Sequence, residues 1–131
     1  MNPNNSGKLN ILLVEDNVIN QEVALYMLTK KGYSVIIANN GEEALFLVEN
    51  EGVDLLLMDV QMPKMNGYEA TRKIREMEMQ TGVHKPIIGV TANAMRGDKE
   101  KCIEAGMDGY LTKPIRMDEL FRTIDSFFAK V

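Results

Sequence analysis

The stretch DLLLMDVQMPKMNGYEATRKIR, residues 54–75, decides how the rest of the chain is read. Its apolar run from Leu55 to Met58 lies between two aspartates. An unbroken run of that length, with no polar alternation, marks a strand covered on both faces, as in a parallel sheet. Turn-forming residues follow, and Asn66 is suited to cap a helix over residues 68–80, where apolar residues return at helical spacing. The unit is a strand, a loop and a helix, with Asp59 at the carboxyl end of the strand.

The same unit recurs along the chain. Residues 9–14, 33–38, 54–58, 86–90 and 109–111 read as strands, and 18–31, 41–51, 68–80, 98–105 and 117–130 as helices. In the last helix Leu120, Ile124 and Phe127 or Phe128 form one stripe, opposite Asp118, Arg122 and Asp125. Gly32, Gly52 and Gly106 each follow a helical pattern, where a left-handed cap residue is wanted, and Asn40 is a second N-cap candidate. Five strands alternating with five helices predict an α/β fold, a doubly wound parallel sheet with right-handed crossovers.

The 131 residues suit one domain, and 45% hydrophobic with 26% charged content is that of a globular chain. The formal net charge of −4 does not favour nucleic-acid binding. A single cysteine cannot close an internal disulfide, and no apolar run approaches the roughly 20 residues that span a bilayer. Residues 1–7 read as a short disordered lead and 8–131 as the domain. A cytoplasmic location is expected, with no direct contact to nucleic acid or membrane.

In open α/β sheets, ligands bind beyond the carboxyl ends of the strands, where strand order reverses. The first strand ends in Glu15, Asp16 and Asn17, the third in Asp59, the fourth in Thr91, and the fifth leads into Lys113 and Pro114. Carboxylates about 5 Å apart repel by roughly 3 kcal/mol at an effective dielectric near 20, so such a cluster calls for a hard cation. Mg²⁺, with oxygen ligands and retained waters, suits it. Lys113 can hold a phosphoryl oxygen, Thr91 can donate to one, and Asp59 is the carboxylate best placed to attack phosphorus.

The motifs LLVEDNVINQ, LLLMDVQMPKMNGYEATRKIR, IIGVTANA and CIEAGMDGYLTKPI resemble those of response-regulator receiver domains of two-component signalling, from about Lys8 to the end. The resemblance implies strand order 2-1-3-4-5 and Asp59 as phosphoacceptor. It implies Mg²⁺ held by Asp16, Asp59 and the Gln61 carbonyl, with Glu15 reaching it through water. Thr91 and Lys113 would contact the phosphoryl group, and Tyr110 would be the aromatic that turns when Thr91 moves. EDNVINQ and MDVQMP resemble receivers of hybrid histidine kinases and phosphorelays. The expected partners are a histidine kinase or histidine phosphotransfer protein and a downstream effector, and the expected state is a monomer or a weak phosphorylation-dependent dimer. Asn66 stands where many relatives carry Asp, and caps a helix equally well. Gln61 and Asn93 are expected to set phosphate lifetime, the Lys113–Pro114 bond to be cis, the donor to dock around Val18 and Ile19, and output to pass through the fourth helix, fifth strand and fifth helix.

Rival readings fit less well. A phosphatase using an aspartyl intermediate would want a second Asp two residues past Asp59, where this chain has Gln61. For the isolated domain no enzymatic turnover beyond self-phosphorylation and autodephosphorylation is therefore expected, and kinase activity is left open for a longer hybrid histidine kinase parent. A nucleotide-binding module would want a Gly-rich loop after the first strand, where this chain has EDNVINQ. A degenerate receiver would not keep Asp59, Thr91 and Lys113 together. Met62 and Met65 read as packing residues beside the acceptor loop. His84, the one histidine, reads as a solvated loop residue, and Cys102 as a small buried hydrophobe.

Overall fold

The computed structural model describes residues 9–62, 65–92 and 97–128. The expected lead at residues 1–7, Asn93, expected to set phosphate lifetime, and the last residues of the expected fifth helix lie outside them. The elements run β1 (Asn10–Val14), α1 (Val18–Lys30), β2 (Ser34–Ala38), α2 (Gly41–Asn50), β3 (Leu55–Asp59), α3 (Gly67–Thr81), β4 (Ile87–Thr91), α4 (Asp98–Ala105), β5 (Gly109–Thr112) and α5 (Met117–Phe128). The sheet is wholly parallel, in order β2-β1-β3-β4-β5.

Every residue of β3 and β4 is buried, which explains why those strands read as unbroken apolar runs. Alternate side chains feed two cores. Leu12, Leu56 and Met58 pack with Ala70 and Ile74 on one face. Ile11, Leu13, Leu55 and Leu57 pack with Ala24, Leu28, Leu120 and Ile124 on the other. The stripe of α5 is thereby accounted for, and Cys102 and Met62 lie buried in the first core with Met65 packed against it.

Helix ends follow from local chemistry. Asn17, Asn40 and Asn66 each accept a hydrogen bond from the amide three residues on, so α1, α2 and α3 start where a short polar side chain can cap them. Gly32 and Gly106 adopt the left-handed conformation as expected, with φ of 99° and 107°. Gly52 does not. Helix α2 ends at Asn50, Glu51 is extended, and the chain passes directly toward β3 without a left-handed residue. A left-handed glycine not singled out in the sequence, Gly82, closes α3 with φ 77°.

His84 is exposed at 58% but is tied rather than merely solvated: Nε2 lies 2.7 Å from Asp108 Oδ1. It belongs to a polar clamp at the amino ends of the strands. Arg75 donates to the Gly106 carbonyl and the Lys85 carbonyl, and pairs with Glu78 and Asp108 at 2.7 Å each. Asp108 also accepts from the Ile87 amide, so one guanidinium joins α3, the entry to β4 and the α4–β5 turn.

Helix α3 is pressed against the end of β3. A Cβ at Gly67 would strike the Asp59 carbonyl oxygen and come within 2.8 Å of Val60 Cα. Both are backbone and cannot yield. Gly67→Ala should therefore cost about 1–3 kcal/mol in urea unfolding. An unchanged midpoint would show that α3 slides freely on the strand.

Candidate functional site

Register brings the strand-end residues together. Val14 pairs with Met58 and Asp59 with Val90, so Glu15 leaves β1 beside Asp59, the last residue of β3, while Thr91 ends β4 beside Thr112. The Lys113 amide donates to the Thr91 carbonyl at 2.7 Å, and the Lys113–Pro114 peptide is cis. Lys113 Nζ stands 3.3 Å from Asp59 Oδ2 and 3.4 Å from Glu15 Oε1.

Glu15, Asp59 and Thr91 are buried, with exposures of 5%, 3% and 0%, whereas Asp16 is exposed. One carboxylate oxygen from each of Glu15, Asp16 and Asp59 falls within 4.8 Å of the other two. Asp59 Oδ1 accepts from the Gln61 amide at 3.1 Å, and Glu15 Oε2 from the Asn17 amide at 3.1 Å. Among the described residues, one ammonium group beside three carboxylates leaves excess negative charge facing the mouth of the site. Hard oxygen donors crowded to that degree suit Mg²⁺.

Glu15, Asp16, Asp59, Thr91 and Lys113 thus converge. Tyr110 lies on β5, half-buried and packed against the core, and Gln61 is exposed at the rim. Sequence reading did not single out Gln21. Its buried carboxamide donates to the Glu15 carbonyl at 2.6 Å and to Asn39 Oδ1 at 2.8 Å. A polar residue interrupting the inward face of α1 was the available signal.

Beside the carboxylates, a small cavity of about 160 Å³ opens between α1 and the Lys113–Pro114–Ile115 segment, with Leu13, Val23 and Ala24 in its wall. Helix α1 also exposes Val18, Ile19, Val23 and Tyr26. A second groove of about 470 Å³ runs between α4 and α5 over β5, past Ile103, Tyr110 and Phe127. Among the described residues no helix is long and apolar enough to cross a membrane.

The response regulator receiver domain model matches residues 11–125, and the chain belongs to that family. Its relatives include hybrid signal transduction histidine kinase I of Dictyostelium discoideum, 46% identical over 92% of this chain and 7% of that protein. Sensor histidine kinase RcsC of Escherichia coli (strain K12) is 39% identical over 92% of this chain and 12% of its own length. The chain therefore spans about a tenth of these curated relatives. Among solved structures, the receiver domain of sensor histidine kinase PA1611 from Pseudomonas aeruginosa PAO1 has a magnesium ion coordinated in its active-site cleft. It superposes with a TM-score of 0.84 at 43% identity, covering 95% of this chain and all of that one (100%). The receiver domain of the response regulator Ssk1, crystallised with the Saccharomyces cerevisiae histidine phosphotransfer protein Ypd1, gives 0.85 at 37%, covering 90% and 87%.

Burial pushes the Glu15 carboxyl above its ordinary value, and the Asp59 carboxylate adds to the rise; the Asn17 amide and the Lys113 ammonium act in the opposite direction. The folded chain then binds that proton more tightly than the unfolded chain. Stability is lost as pH climbs from the ordinary carboxylate value through the raised one. In metal-free urea unfolding, Glu15→Gln should gain stability relative to the unsubstituted chain across that window, with a constant difference above it. A difference independent of pH would mean that burial leaves Glu15 titrating normally.

Proposed function

We propose that this domain is a phosphorylation switch that accepts a phosphoryl group on Asp59. The observation that carries the reading is a buried carboxylate at a strand end, 3.3 Å from a lysine ammonium and beside two further carboxylates. An Asp59 carboxylate oxygen attacks phosphorus, an O–P bond forms, and the P–N bond to a donor histidine breaks. The imidazole leaves with the electron pair and takes up a proton. Asp16, Asp59 and the Gln61 carbonyl would hold Mg²⁺ directly, with Glu15 acting through water. When bound, the ion neutralises charge on the transferring group. Lys113 holds a phosphoryl oxygen, and Thr91 donates to another. Gln61 and Asn93 set how readily water reaches the acyl phosphate in autodephosphorylation. This reading places the reaction in the cytoplasm.

Acetyl phosphate with Mg²⁺ should add one phosphoryl group by mass to the unsubstituted chain and none to Asp59→Asn or to a sample held in excess chelator. Labelling of Asp59→Asn at the unsubstituted rate would refute the assignment.

The donor, a histidine kinase or histidine phosphotransfer protein, docks on α1, because Val18, Ile19, Val23 and Tyr26 expose apolar surface beside the acceptor. Phosphorylation adds about two negative charges at Asp59 and draws Thr91 inward, making room for the Tyr110 ring and reshaping the α4–β5–α5 face for an effector or a weak self-association. Amide resonances separate the two surfaces. Beryllofluoride should shift Asp59, Thr91, Tyr110 and α5, and a histidine phosphotransfer protein should shift α1 and Ile115. Beryllofluoride shifts confined to the acidic loops would show phosphate binding without switching. A donor footprint away from α1 would overturn the docking face.

A further inference from the structure

The carboxamide of Gln21 has two hydrogens on one nitrogen, and both are used. Nε2 lies 2.6 Å from the Glu15 carbonyl and 2.8 Å from Asn39 Oδ1. Asn39 in turn donates to Glu43 Oε1, from its backbone at 2.7 Å and its side chain at 3.1 Å. A strut therefore runs from the turn after β1 through α1 to the loop after β2 and the first turn of α2. Gln21 is buried at 9% exposure, so water competes little for these bonds.

Strand pairing cannot supply the same support. The last backbone bond from β1 to β2 in this turn is Glu15 N to the Ala38 carbonyl, at 3.0 Å. Among the described residues no backbone amide donates to the Glu15 carbonyl beyond it. Asp16 is exposed and its side chain has no hydrogen bond or ion pair among the described residues, so its direction depends on the backbone that carries it.

We propose that Gln21 is a positioning residue for the metal-binding turn. By holding the Glu15 carbonyl it fixes the peptide plane between Glu15 and Asp16, and so aims the Asp16 carboxylate toward Glu15 and Asp59. The role rests on the Mg²⁺ reading above. Partners that orient metal ligands through a hydrogen bond commonly change affinity by ten- to a hundredfold when removed.

Gln21→Met keeps length and bulk and removes both donors. Titration with MgCl₂, followed by amide resonances, should give a dissociation constant raised by about tenfold. Asn39→Ala, which cuts only the far end of the strut, should weaken binding less and serves if Gln21→Met does not fold. Leu28→Val, a core truncation in the same helix, should lower thermal stability and leave Mg²⁺ affinity unchanged. Unchanged affinity in both strut variants, or an equal loss in Leu28→Val, would overturn the proposal. If the unsubstituted chain bound no Mg²⁺, the metal reading would fail by itself. The metal-free spectra would then decide the role of Gln21: displaced Glu15, Asp16 and Asn17 amides in Gln21→Met would support it, and unmoved ones would overturn it.

Discussion

Three carboxylates held within 4.8 Å at the end of a buried sheet are the constraint around which this domain is arranged. Glu15 and Asp59 are withdrawn from water, where a charge is costly unless paired and hydrogen-bonded. The fold answers in part. Lys113 reaches both carboxylates, and backbone amides at Asn17 and Gln61 each give one hydrogen bond. The raised Glu15 pKa shows that the compensation is incomplete. That remaining excess of negative charge makes the site receptive to a cation, and through it to a phosphoryl group.

The opposite end of the sheet is arranged differently. There Arg75 is surrounded by two carboxylates and two carbonyls, and each carboxylate also accepts from a backbone amide. Donors meet acceptors there, and three segments, α3, the entry to β4 and the α4–β5 turn, are locked together. At that end both carboxylates are tied to the guanidinium, whereas at the edge where ligands arrive Asp16 has no hydrogen bond or ion pair among the described residues. Coupling of a phosphoryl group to distant surfaces needs this contrast, because a switch requires one region that holds still while another moves.

Much of the fold was legible because its signals are local. Buried parallel strands read as apolar runs, asparagines mark the helix starts, and the stripe of α5 repeats at helical spacing. The misreadings are equally physical. Gly52 follows a helix, but whether a left-handed residue is needed depends on how the chain must turn to reach β3, and there it continues extended. His84 is exposed in its polar loop as expected, and only its contact with Asp108, distant in sequence, was not legible. Gln21 resembled any polar residue on a helix until its neighbours across the sheet were known.

By itself the sequence determined which residue types stand at the strand ends, since the alternation of strands and helices assigns Glu15, Asp16, Asp59, Thr91 and Lys113 to one edge. Those assignments depend on periodicity and turn chemistry, which act between residues close in the chain. Distances, burial and partnership were decided only by the tertiary structure. The register of β1, β3, β4 and β5 places Lys113 against two carboxylates, and the packing of α1 turns Gln21 toward Glu15 and Asn39. These contacts join residues far apart in the chain, and their strength is set by exclusion of water, which no local pattern encodes.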